Sequence, residues 1–119
     1  MRILVTGSRS WTDADTIKAS FATWWAANPG TLNPVLVVGD ARGADKIAAE
    51  LWAAAGLVVE RHEAEWDELG KKAGVVRNQI MVDSGVDACL AFPIGDSPGT
   101  KHCITAAKRA GIPTQVHGR

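Results

Sequence analysis

The chain alternates short, unbroken apolar runs with segments of helical period, and that alternation limits its fold more than any other feature. The runs are Ile3-Leu4-Val5, Val35-Leu36-Val37-Val38 ending at Gly39, Leu57-Val58-Val59, Cys89-Leu90-Ala91-Phe92, and a short fifth from Pro113 to Val116. Runs that are apolar at every position, rather than at every second one, suit strands covered on both faces. Between them the spacing predicts helices. Thr12 is placed to cap the first, with Asp13 and Asp15 in its opening turn and Ile17, Phe21 and Trp24 at helical spacing. Ala44, Ile47, Ala48, Leu51, Trp52 and Ala55 make the clearest stripe, stopped by Gly56 in the C′ position. The third helix is expected to turn Leu69, Ala73, Val76 and Ile80 toward the core and to close at Gly85. In the last, Thr100 caps a stripe of Cys103, Ile104 and Ala107 that Gly111 and Pro113 end. Right-handed crossovers then force an α/β fold: one Rossmann-like, three-layer domain over residues 1–119, with a five-stranded parallel sheet in the order 3-2-1-4-5.

Composition narrows the partners. Thirteen Lys+Arg balance thirteen Asp+Glu, so no excess of charge is available to hold duplex nucleic acid or an anionic membrane, and neither is expected as a partner. Apolar residues at 46% and charged residues at 22% exclude a disordered chain. Cys89 and Cys103 sit in an apolar run and a helical pattern and read as small buried thiols of a reducing compartment. No Cys/His spacing suits zinc, no leader is expected at the N-terminus, and no apolar run nears the ~18 residues of a membrane span. The expected location is cytoplasmic.

In a sheet of this order, ligands bind beyond the C-terminal strand ends where the order reverses, between strands one and four. The loops after strands one, two and four should therefore hold the chemistry. The first is Thr6-Gly7-Ser8-Arg9-Ser10-Trp11. Gly7 permits close backbone approach, Ser8 brings a hydroxyl, and Arg9 a fork suited to phosphate. Trp11 can stack on a base or cover the end of the next helix. The second loop, Gly39-Asp40-Ala41-Arg42-Gly43-Ala44-Asp45, opens a helix whose free N–H groups attract anions. Arg42 would add a phosphate contact, and Asp40 can accept from ribose hydroxyls or hold a divalent cation. Either Asp40 or Asp45 can instead cap the helix. The fourth, Pro93-Ile94-Gly95-Asp96-Ser97-Pro98-Gly99-Thr100, opens a second helix, with Ser97 and Thr100 adding hydroxyls.

Arg77 and Asn78 fall on the third helix, Arg77 at the edge of its core face, either solvated or reaching into the crevice. Glu63, Glu65, Trp66, Asp67 and Glu68 precede that helix as a polar segment with a helix-starting carboxylate, and Trp66 can wall the pocket. Of His62, His102 and His117, only His102 falls beside the proposed pocket, and no triad or metal spacing connects them. Trp24 and Trp25, adjacent on a helix, point about 100° apart, which leaves one free to reach the surface.

Taken together, Thr6-Gly7-Ser8-Arg9, Gly39-Asp40-Ala41-Arg42-Gly43-Ala44-Asp45, Val76-Arg77-Asn78-Gln79 and Phe92-Pro93 with Pro98-Gly99-Thr100 resemble the YspA/YpsA-related branch of the SLOG superfamily. The resemblance implies a Rossmann-like fold, a nucleotide-derived ligand, a bacterial or phage source and a homo-oligomer. It also implies that Arg77 corresponds to the active-site arginine of the Lonely Guy phosphoribohydrolases, and Gly99-Thr100 to the end of their Pro-Gly-Gly-x-Gly-Thr-x-x-Glu motif. The chain departs from that motif three residues past Thr100, where Cys103 stands in place of the glutamate. A glycosidic bond needs a carboxylate to activate water or stabilise positive charge, and a buried thiol supplies neither. The expected function is therefore binding of a nucleotide or phosphorylated nucleoside, as sensor or carrier. The expected contacts are Gly7, Ser8, Arg9, Gly39, Asp40, Arg42, Gly43, Asp45, Arg77, Asn78, Pro93, Ser97, Gly99 and Thr100. The alternatives are a hydrolase of such a ligand, an N-glycosidase or phosphohydrolase with Arg77 and Asp40 as its catalytic pair, and a protein- or single-strand-binding module as in DprA.

Overall fold

Ile3, Leu4 and Val5 are wholly buried because the strand they form, β1 (Arg2–Gly7), lies at the centre of the sheet. The computed structural model describes residues 1–118, with the side chains of Asp67, Glu68 and Lys71 outside the description. On one side β1 pairs in parallel with β2 (Val35–Gly39), which pairs with β3 (Val59–His62). On the other it pairs with β4 (Ala88–Phe92), which pairs with β5 (Thr114–Val116). The order is 3-2-1-4-5, as the sequence predicts.

The unbroken apolar runs now have a physical cause. Ile3 and Val5, Leu36 and Val38, and Leu90 and Phe92 pack into one core with Trp11, Ile17, Trp24, Ala48 and Trp52, under helices α1 (Ala14–Ala27) and α2 (Ala44–Ala54). Leu4, Val37 and Cys89, one residue out of phase, pack into a second core with Met81, Val82, Cys103 and Ala107. That core lies under α4 (Ala73–Asp83) and α5 (Pro98–Arg109). Each of these three strands feeds both faces, so neither set of positions can be polar. Trp24 is buried while its neighbour Trp25 reaches the surface.

Four details differ from the sequence reading. The cap of α1 is Asp13, whose carboxylate accepts from the Thr16 amide at 3.1 Å; Thr12 lies one residue too early for that reach. The third strand begins at Val59 and runs through polar Glu60 and His62, because Leu57 is drawn back to close α2 by donating to the Trp52 carbonyl. Ser97, and not Thr100, stands at the N-cap of α5, which places Thr100 buried inside the first turn. The largest difference is the third helical segment. It is broken into a short α3 (Trp66–Leu69), a 3₁₀ turn at Gly70–Lys72, and α4. Gly70 at φ +56° ends α3. Counting on from Leu69 turns Val76 and Ile80 inward, whereas the structure exposes both and buries Ala73, Asn78, Met81 and Val82. The expected helix-starting carboxylates Asp67 and Glu68 lie outside the described side chains.

The polar edge strand is held by a cross-sheet pair. Arg2 on β1 donates from both terminal nitrogens to Glu60 on β3, at 2.7 and 2.8 Å, spanning β2. His62 lies 2.7 Å from the same carboxylate. These hydrogen bonds, Arg2's first, hold the Glu60 carboxyl down at about 2. A carboxylate with a depressed pKa stabilises the fold above its ordinary titration range, and that contribution is lost as pH falls toward 2. Glu60→Gln should therefore lower the melting temperature at pH 7, by about 1 kcal/mol in stability since both side chains are partly solvated. The deficit should close as the scan approaches pH 2; a deficit that persists there would mean Glu60 acts through packing.

Candidate functional site

The C-terminal ends of β1, β2 and β4 meet around a cavity of about 510 Å³. Thr6–Arg9 line it from the first loop, Ala41 and Asp45 from the second, and Asp96–Thr100 from the fourth. Trp66, Gly74 and Val75, with Arg77 and Asn78, close the side contributed by α3 and α4.

Two glycines let these segments meet. Gly43 has φ +77°, and a Cβ there would stand 2.4 Å from the Ser8 carbonyl oxygen and 2.5 Å from that of Arg9, so the first and second loops press directly together. The Ala44 amide donates to the same Ser8 carbonyl at 3.1 Å, which occupies one of the free amides expected at the start of α2. A Cβ on Gly39 would fall 2.5 Å from Nη1 of Arg77 and 2.7 Å from Oδ2 of Asp45. The guanidinium thus lies against bare main chain at the end of β2. Gly7 is packed in the same manner against Ala44 and Phe92.

Arg77 holds the site together. Its Nη1 donates to Asp40 Oδ1 at 2.7 Å, and Nε donates to Asn78 Oδ1 at 2.9 Å. Asn78, 5% exposed, passes the connection on by donating from Nδ2 to the Gly99 carbonyl at 3.2 Å. One polar chain therefore runs from the end of β2, through α4, to the first turn of α5. Nη2 of Arg77 has no hydrogen-bond partner among the described residues. Arg77 takes this position because it neighbours buried Asn78 on the inward side of α4, and not at its edge. In α5, Pro98 brings no N–H, and the Gly99 and Thr100 amides have no acceptor among the described residues. These are the open donors of a helix start, aimed where the dipole favours an anion.

The other expected residues divide. Ser8 lines the cavity, but its hydroxyl also accepts from the Ser10 amide at 3.1 Å. Arg9 lies 5.7 Å from the centroid of Trp66, a half-exposed indole that walls the cavity. Trp11 is buried edge-to-face on Phe92, with centroids 5.3 Å apart, and donates from Nε1 to the Asp13 carbonyl, so it covers the helix end and offers no face to a base. Ser97 lines the cavity while its hydroxyl donates to the Ile94 carbonyl at 2.7 Å. Asp40 is taken up by Arg77 and by the Ala64 amide. Among the described residues no cluster of three or more metal-binding side chains forms. Arg42 lines two smaller hollows beside the second loop, and Pro93 lines none of the cavities described here. His102 faces a separate hollow between α4 and α5 with Gln79 and Arg109. Gly74 and Val75 escaped the sequence reading because the assumed helix phase turned that surface elsewhere.

Asp45 lines the cavity, and Cys103 lies buried in the second core beneath it. Burial pushes the Cys103 thiol up to about 11 against a hydrogen bond from Thr6, so it remains protonated and inert. Asp45, 5% exposed, accepts from the Ala41 amide at 3.3 Å. Burial raises its pKa to about 6, with Asp40 pushing the same way and Arg77, the Ala41 amide and Arg9 opposing. A raised carboxyl binds a proton in the folded chain that the unfolded chain has already released. Its contribution to stability is thus full below the ordinary value of 3.8 and lost as pH rises to about 6. Asp45→Asn should match the parent near pH 4 and gain on it through that window, levelling at up to about 3 kcal/mol. Thermal melts from pH 4 to 8 read this directly, and a gain independent of pH would refute the raised pKa.

A family model described as YAcAr: YspA, cpYpsA-related SLOG family matches residues 1–68. The Gene 61 protein of Mycobacterium phage D29 is 48% identical over 118 residues, an alignment covering 94% of this chain and 92% of that protein. No solved structure matches. No helix among the described residues is long and apolar enough to cross a membrane.

Proposed function

This chain belongs to the YspA, cpYpsA-related SLOG family, and on that footing we propose that it binds a nucleotide or phosphorylated nucleoside at the C-terminal ends of β1, β2 and β4, as a sensor or carrier. The observation that carries the reading is the pairing of two unlike walls in one cavity. One wall has the free Gly99 and Thr100 amides with Arg77 beside them; the other has the half-exposed Trp66. Amides at a helix start with a guanidinium suit a phosphate, and an accessible indole suits a base. Ser8 and Asp45 lie between, within reach of a sugar.

A thermal-shift series tests it. A nucleoside 5′-monophosphate at 100 times its Kd adds about 2.7 kcal/mol, which for a domain of this size is a rise of about 10 °C. Trp66→Leu should reduce the shift given by a nucleoside monophosphate and leave that given by ribose 5-phosphate unchanged. Arg77→Ala should abolish both. A screen across all four bases with no shift would refute the proposal.

A second reading, a hydrolase acting on such a ligand, is favoured by Asp45 alone. A carboxyl that titrates near neutrality inside a cavity is suited to moving a proton. Arg77 and Asp40, the pair expected to act if the chain is an enzyme, neutralise one another at 2.7 Å. Release of free base or phosphate by the parent chain, lost in Asp45→Asn with binding retained, would move the assignment from carrier to hydrolase.

A further inference from the structure

The central cavity does not end at Trp66. Beyond Arg9, Ala41 and Trp66, which line it, those same three residues help form a second hollow of about 380 Å³ with Asp40 and Arg42. Asp40, Ala41 and Arg42 in turn form the wall of a third, about 300 Å³, that reaches Lys46, Glu50 and Arg61. The three hollows thus follow one another over the second loop, each sharing a wall with the next. Arg42, Lys46 and Arg61 are exposed, and none has an ion-pair or hydrogen-bond partner among the described residues. In a chain whose charges sum to zero, three unpaired cations beside a single unpaired carboxylate, Glu50, make a local positive shelf. The shelf lies across Trp66 and Arg9 from the Gly99 and Thr100 amides, so the molecule has two anion-favouring ends with the aromatic wall between them.

We propose that the ligand carries two phosphate groups separated by a nucleoside, the first at the start of α5 and the second on the shelf of Arg42, Lys46 and Arg61. A nucleoside 3′,5′-bisphosphate and a 5′-phosphorylated dinucleotide share this chemistry. A nucleoside 5′-diphosphate, whose phosphates are adjacent, does not. The inference rests on the nucleotide-binding reading and adds the ligand's length and second charge. It also gives Arg42 a role that its distance from the central cavity otherwise leaves empty.

Isothermal titration at fixed, moderate salt tests it with four probes: adenosine 5′-monophosphate, adenosine 5′-diphosphate, adenosine 3′,5′-bisphosphate and the dinucleotide pApA. The bisphosphate, the dinucleotide or both should bind about tenfold tighter than the monophosphate, as one or two charge-assisted contacts imply. The diphosphate should gain little. Lys46→Gln combined with Arg61→Gln should remove the gain and leave monophosphate affinity unchanged, and raised salt should erode the gain first. The relative size of the two gains separates a bisphosphate from an oligonucleotide end. Equal affinity for the monophosphate and both two-phosphate probes, or a gain as large with the diphosphate, would overturn this inference and leave the binding reading standing. Failure of all four to bind would overturn both.

Discussion

The site depends on the absence of a side chain at Gly39. Because nothing projects there, the Arg77 guanidinium lies against the end of β2 with Asp40 and Asp45 around it. One cation then serves two carboxylates. Asp40, the more solvated, pairs with it directly. Asp45, deeper, is left with too little compensation for its burial and holds its proton to about pH 6. A methyl group at position 39 would displace the guanidinium, strand both carboxylates and release Asn78 from the geometry in which it reaches Gly99. Position 39 thus sets the charge state of the cavity and, through α4, the placement of the first turn of α5.

The parts of the fold legible in the sequence are those in which burial acts on every residue. β1, β2 and β4 lie in the interior of the sheet between two helical layers, so their apolar runs are complete and their order follows from the crossovers. β3 was displaced by two residues because an edge strand has fewer apolar obligations, and Glu60 and His62 satisfy each other and Arg2 instead. α4 keeps Ala73 buried and turns Asn78, Met81 and Val82 to the core, so polar Asn78 takes an inward place that an apolar count gives to Val76 and Ile80, and Arg77 beside it turns inward too.

The site was legible where a residue type has one use and less so where it has several. A glycine beside a helix start can open space for a ligand or let main chain pack on main chain. Gly43 does the latter, with the Ser8 carbonyl taking the Ala44 amide, whereas the Gly99 amide has no acceptor among the described residues. Both helix starts keep open donors among the described residues, the Asp45 and Lys46 amides on α2 and the Gly99 and Thr100 amides on α5. Arg42, adjacent to Gly43, was drawn into the same expectation and instead faces outward. The cysteine at position 103 is held protonated by burial, while the cavity's titrating carboxyl comes from Asp45 on α2.

The aromatic residues have a consequence for light. Phe21, Trp24, Trp25 and Trp52 form one group, with ring centroids between 5.0 and 6.5 Å apart in each contact, close enough for excitation to migrate among the indoles. Trp11 is shut against Phe92. Trp66 has no ring neighbour among the described residues and stands half in water beneath a guanidinium, about as exposed as Trp25 but apart from that group. The polypeptide carries a built-in optical gauge at the mouth of its crevice, outside the circle of indoles that exchange excitation with one another.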